Sequence, residues 1–307
     1  LIRRQRQMCI RDRGKVLIDE NLLDEINYMI EYPTSVMGKY DMKYLNLPRI
    51  VLITCLKHYQ KFFSVINEKE KLLPYFIGIR DGISEYLDNV REGYERVLAA
   101  RLEDAEFFFQ KDRQQPLEEY VEKLKGVTFQ EKLGTLYDKT ERIVKLAEYI
   151  ARQIQASPEE TSRARRIARL SKADLMTEMV GEFPELEGIM GKVYARYSGE
   201  EEAVATGIEE HYWPLGDKGP PASLAASLVS IADKMDTIVG DFSAGLIPTG
   251  SEDPYGLRRH SQGIVRIIIE KRLDISLAAL AEKAFSLLPP TGKPKEVILK
   301  EVLSFFR

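Results

Sequence analysis

The chain has 307 residues, is 44% hydrophobic and 30% charged, and carries a formal net charge of −3. With a mean hydropathy of −0.28, that balance suits a globular protein with a real core and excludes a disordered chain or a coiled-coil rod. No run of 18 apolar residues occurs, so a membrane-spanning helix is excluded. Two cysteines cannot make a disulfide framework, and three histidines leave little for metal or general-base chemistry.

Residues 1–13 differ from everything after them. They hold five arginines, one aspartate and no helical or strand period, and they resemble translated adapter read-through, so a non-native, unpacked leader is expected. Without those five positive charges and one negative charge, the net charge falls from −3 to −7. The rest of the chain is acidic, and any contact with nucleic acid must come from local patches.

Residues 14–112 read as a small α+β region. Leu22, Ile26, Met29 and Ile30 predict a short helix ending before Pro33. Leu47-Pro48 opens a second helix through Ile50, Ile53 and Leu56. The runs Phe62–Ile66 and Leu72–Ile79 read as strands joined by the polar Asn67–Lys71 connection. A long helix follows from Leu87 to Phe109.

From about residue 116 only helices are expected. Leu136, Ile143, Ala147, Ile150 and Ile154 form an apolar stripe, and Pro158 opens the next helix at its first turn. Further helices are expected at about 184–197, 200–211, 222–239, 254–271, 276–287 and 295–306. Glycine and proline gather between them, at 216–221, 245–250 and 289–294.

The motif search is mostly negative. Neither phosphate-loop fingerprint is present, nor Cys-x-x-Cys, nor a Gly-x-Ser-x-Gly elbow. The glycine-bounded loop Gly245–Ser251 lacks the lysine a phosphate cradle needs, so it reads as a shaped turn. His58 and His211 fall at helix ends, His260 falls on the apolar side of its helix, and none has a second histidine at helical spacing. Asp174, seven residues after Ile167, falls on a core-facing stripe, and Asp233 and Asp236 lie one turn apart among apolar residues. Buried carboxylates need partners. They would be the remains of a metal site or a structural hydrogen-bonding pair, and without a neighbouring histidine the structural role is expected.

Two basic stripes stand out. Arg165, Arg169 and Lys172 follow i, i+4, i+7 spacing, and Arg259, Gln262 and Arg266 form a similar stripe on a later helix with Arg258 beside them. Each stripe sets cations along about 11 Å of one helix side, from the 1.5 Å rise per residue. Such faces can neutralise successive phosphates, or be solvated faces with ordinary ion pairs.

Several long stretches resemble a known family. Ala173–Gly191, Ile208–Tyr212, Ile231–Gly240, Gly245–Pro254 continuing into Leu257–Arg259, Arg96–Phe108 and Phe129–Gly134 are similar, in order, to the β subunit of bacterial glycine–tRNA ligase. The resemblance covers the chain from about residue 15 onward. It implies a fragment truncated at both ends, a mainly α fold, and an HD-like all-helical domain over 113–290 with the small α/β (α+β) region in front. Residues 291–307 would then begin a truncated C-terminal region. The resemblance also implies a non-catalytic, tRNA-binding subunit in the cytoplasm, assembled with an α subunit as α2β2. Glycine activation with ATP and Mg belongs to that α subunit, leaving no catalytic residue, metal or cofactor in this chain. tRNA(Gly) is the expected ligand, with Arg165, Arg169, Lys172, Arg258, Arg259 and Arg266 as candidate RNA contacts, and no membrane is involved. Working HD domains hold a metal through an H…HD…D pattern. Asp174 and Asp233 fall at its aspartate positions, but Ala173 replaces the paired histidine. An HD-type metal-dependent phosphohydrolase is the alternative reading, and Ala173 argues against it.

Overall fold

The computed structural model describes residues 14–249 and 252–306. The expectation for residues 1–13 lies outside them. The chain is mainly α with a small α/β region, and it divides into two compact units after Asp112. No helix among the described residues is long and apolar enough to cross a membrane.

The first unit is built on a four-stranded antiparallel sheet in the order β1-β3-β4-β2. Its strands are β1 (Lys15–Val16), β2 (Pro33–Lys39), β3 (Phe63–Ile66) and β4 (Leu72–Asp81). β3 and β4 form the expected hairpin, and Asn67 Oδ1 accepts from Lys69 N (2.9 Å) and Lys71 N (3.0 Å), closing the turn locally. The alternation of β4 sends Ile77 to one face, against Leu22 and Ile26 of α1 (Glu20–Met29). Phe76 points to the other face and stacks on Phe62 at 4.4 Å. α2 (Arg49–His58) and α3 (Leu87–Asp112) complete this unit. β2 went unread in the sequence because Pro33, Gly38 and Lys39 break its apolar alternation. It pairs with β4 from Pro33↔Asp81 to Lys39↔Tyr75.

The second unit comprises ten helices among the described residues, not helices alone. Besides α4 (Leu117–Lys123) it contains a short ribbon of β5 (Thr128–Gln130) and β6 (Gly134–Thr135). α5 (Leu136–Gln153) starts on a capping box, in which Thr135 and Asp138 exchange side-chain and backbone hydrogen bonds. α6 (Pro158–Leu170) starts with Ser157 as cap and Pro158 in its first turn. α7 (Glu178–Glu182), α8 (Ile189–Tyr197) and α9 (Glu202–Glu210) follow. The single helix expected at 184–197 is a 3-10 turn at Pro184–Leu186 followed by α8, because Gly188 at φ 76° resets the chain between them.

α10 (Leu224–Ala244) is the centre of this unit. Eighteen of its 21 residues are buried, as expected of a helix apolar on all sides. α5, α6, α9, α11 (Leu257–Lys271), α12 (Leu277–Leu287) and α13 (Lys295–Phe305) pack around it. It stops at Gly245, whose φ of 91° lets Leu246 N return to Asp241 O at 2.8 Å. Lys132 and Lys293 add donors to the last carbonyls, at Ala244 O and Phe242 O.

Candidate functional site

α10 carries Asp233, Lys234 and Asp236 into the interior with charged partners already in place. Arg142 of α5 grips Asp236 with two bonds, Nε–Oδ1 at 2.7 Å and Nη2–Oδ2 at 3.2 Å, and donates to Leu133 O at 2.9 Å. Lys139, one turn earlier, lies 2.9 Å from Asp233 Oδ1 and 3.2 Å from Asp236 Oδ2. Lys172 Nζ donates to Asp233 Oδ2 at 2.8 Å and to His211 Nε2 at 3.0 Å. Burial would raise the Asp233 pKa, but the charges on Lys139 and Lys172 overcome it and hold the carboxyl well below its usual range.

His211 is fully buried, and its partners fix its tautomer. Its Nδ1 lies 2.6 Å from Ile208 O, which can only accept, so Nδ1 carries the proton. Nε2 is then the acceptor for the Lys172 ammonium. Burial, then the charge on Lys172, keep the His211 pKa well below 6.5, so the ring is neutral. Lys234 is ringed by His211 O, Tyr212 O, Trp213 O and Ser230 Oγ at 2.7–3.3 Å, and burial pushes its pKa down to about 8.

Asp174 takes different partners. α6 ends at Leu170, so Asp174 lies in a 3-10 turn (Ala173–Met176) and not on the helical stripe that the sequence suggested. It is nonetheless fully buried. Its Oδ2 accepts from Gly188 N (2.7 Å) and Gly191 N (2.9 Å), capping the start of α8. Its Oδ1 is buried with no hydrogen-bond partner among the described residues. Burial pushes the carboxyl up to about 7 against the two N–H groups that favour its charge. Among the described residues no group of three or more His, Cys, Asp or Glu side chains could hold a metal ion.

The same end of α6 corrects one basic stripe. Lys172 lies beyond the helix, is 5% exposed and belongs to the Asp233 cluster, so it does not continue the Arg165/Arg169 face. Arg169 is bound to Glu118 (3.2 Å), Glu122 (3.4 Å) and Glu141 (2.7 Å), and Arg166 to Glu118 and Glu200. Arg165 is exposed and pairs with Glu148. This face ties α6 to its neighbours. The second stripe does lie along one helix, α11. Arg259 and Arg266 are exposed, Arg258 is half-buried, and Arg266 pairs with Glu270 at 2.7 Å. Arg258 and Arg266 line a groove of about 740 Å³ whose apolar wall includes Ile269, Phe305 and Phe306.

Of the other histidines, His58 is exposed at the end of α2. His260 is half-buried on α11, and burial lowers its pKa to about 4. The sequence reading missed Lys139, Arg142, Lys234 and the engagement of His211. The signal was present for Lys139, which stands at i−4 to Ile143 and i−11 to Ile150 on the apolar stripe of α5. A lysine in that register demands a buried carboxylate opposite.

The family model described as glycyl-tRNA synthetase beta subunit matches residues 1–307. Proteins named glycine–tRNA ligase beta subunit are similar to the chain. The one from Trichlorobacter lovleyi is 48% identical over 96% of this chain and 43% of its own length. The Moorella thermoacetica protein of that name is 46% identical over 98% of the chain and 44% of its own length. The Bacillus subtilis one is 44% identical over 89% and 40%. The chain thus spans less than half the length of these curated relatives.

Proposed function

The chain belongs to the glycyl-tRNA synthetase beta subunit family, and from that premise we propose that it is part of the non-catalytic, tRNA-binding subunit of a glycine–tRNA ligase. In this reading it supports ATP-dependent attachment of glycine to tRNA(Gly) in the cytoplasm. The catalytic site, with its ATP and Mg, lies in an α subunit, and the assembly is α2β2. The observation that carries the reading is the occupied interior of the second unit. Asp233, which the resemblance sets at an HD-type metal position, is held by Lys172 and Lys139, and Asp236 beside it by Arg142 and Lys139.

That occupancy bears on the alternative. A metal-dependent phosphohydrolase needs carboxylates and imidazoles open to an ion and a water. Here Ala173 stands in place of one ligand, and a lysine ammonium sits on Asp233 Oδ2. RNA contact is assigned to the face of α11 that carries Arg258, Arg259 and Arg266, as contacts to the phosphate backbone and not as base reading.

The test is reconstitution of full-length β subunit carrying this sequence with a glycine–tRNA ligase α subunit. The two are expected to co-purify and to charge tRNA(Gly), whereas the β subunit alone forms no glycyl-adenylate. Adenylate formation by the β subunit alone, or phosphate release from nucleotides dependent on Asp233, would overturn the reading.

A further inference from the structure

The side chain of Lys172 ends in a three-sided cage. Its Nζ lies 2.8 Å from Asp233 Oδ2, 3.0 Å from His211 Nε2 and 4.0 Å from the Tyr212 ring centroid. An anionic acceptor, a neutral acceptor and an aromatic face are together the complement of a primary ammonium ion. Two N–H donors are satisfied, and the charge lies against the ring quadrupole. The cage is preorganised without help from Lys172. Ile208 O fixes the imidazole, Lys139 sets its charge 2.9 Å from the other Asp233 oxygen, and the Tyr212 hydroxyl donates to Glu187 at 2.5 Å.

We propose that Asp233, His211 and Tyr212 form a primary-ammonium binding site that the chain fills with its own Lys172. Cutting that side chain back opens the site to a small alkylammonium ion from solution. The ligand class follows from the surroundings. Among the described residues no group of three or more His, Cys, Asp or Glu side chains could hold a metal ion, and Asp233 with His211 is too few for a closed site. Lys139 on the same carboxylate and Lys234 on the His211 carbonyl already place two positive charges beside the position. A divalent ion would add a second charge to that repulsion, whereas an alkylammonium replaces one charge with one. A quaternary ammonium lacks the N–H groups that Asp233 and His211 require.

The experiment uses the full chain with Lys172→Ala, followed by thermal unfolding during titration with n-propylammonium chloride. Tetramethylammonium chloride and NaCl at matched ionic strength serve as controls, and Zn2+ and Mn2+ are separate arms. The variant is expected to unfold at lower temperature than the wild type. n-Propylammonium should raise its Tm saturably, by about 2 °C at ten times the Kd. The wild type should not respond, nor should Lys172→Met, whose apolar stem fills the space of the lysine side chain. The proposal is overturned by no saturable gain in Lys172→Ala, by an equal gain in the wild type, or by a larger gain with either metal. It is also overturned if Lys172→Ala stays unfolded with and without n-propylammonium while Lys172→Met folds.

Discussion

Asp174 shows how one buried carboxyl can serve structure without chemistry. Its Oδ2 is the acceptor for two backbone N–H groups at the start of α8, and removing it leaves both buried and unpaired. Asp174→Ala is therefore expected to lose about 2–4 kcal/mol of stability at pH 5, measured by denaturant unfolding. Asp174→Asn keeps an oxygen acceptor and is expected to lose about 1 kcal/mol or less. The pH dependence separates charge from hydrogen bonding. With its pKa raised to about 7, folded Asp174 holds a proton between pH 4 and 7 that the unfolded chain has released, so its contribution to stability falls as pH rises through that window. His211, lowered below 6.5, acts with the opposite sign: the unfolded ring takes up a proton below pH 6.5 that the folded ring refuses, so its contribution falls as pH drops. In Asp174→Asn only the His211 slope remains of the two. Its stability should rise more steeply from pH 4 to 7 than that of the wild type, and an unchanged slope would contradict the assignment.

The helices of the second unit approach closely enough that glycine is needed at particular crossings. A Cβ on Gly207 of α9 would lie 2.3 Å from Ile167 Cδ1 of α6. Gly207→Ala is expected to cost about 1–3 kcal/mol by overpacking. Ile167→Val, which removes that Cδ1, should recover part of the loss in the double variant, and strict additivity in the cycle would show that the two helices do not meet there. How much of this was legible in the sequence depended on periodicity. α5, α6 and α10–α13 announced themselves by apolar spacing and by Pro158 at a first turn, although α10 was expected to end at 239 and runs to Ala244. β2 did not, because its pairing with β4 comes from tertiary contact and not from an alternating pattern. The end of α6 at Leu170 was also invisible, since Ser171, Lys172 and Ala173 contain no breaker, and that one boundary moved Lys172 from a surface stripe into the core. The candidate site was therefore half readable. Asp174, Asp233 and Asp236 stood out as carboxylates among apolar residues, while the lysines on Asp233 and Asp236 arrive from 61 to 97 residues away.

On the scale of the whole chain, the proposed function asks an acidic chain to hold a polyanion, so its cations must be sorted by what already neutralises them. Those of α6, with Lys139, Arg142 and Lys172, are committed to carboxylates inside the second unit. On α11, Arg259 and Arg266 are exposed, and Arg266 shares its charge with an exposed carboxylate, Glu270. Loss of charge at Arg169 should accordingly lower stability and leave tRNA affinity unchanged. The measurement that bears most directly on the central claim is tRNA affinity against salt concentration, for full-length β subunit assembled with its α subunit, comparing wild type with Arg258→Ala/Arg259→Ala/Arg266→Ala. The account predicts weaker binding to all tRNAs alike, a salt slope flatter by roughly one unit for each phosphate no longer neutralised, and undiminished glycine activation by the α subunit. Unchanged affinity and slope, or weakening confined to one tRNA sequence, would contradict it.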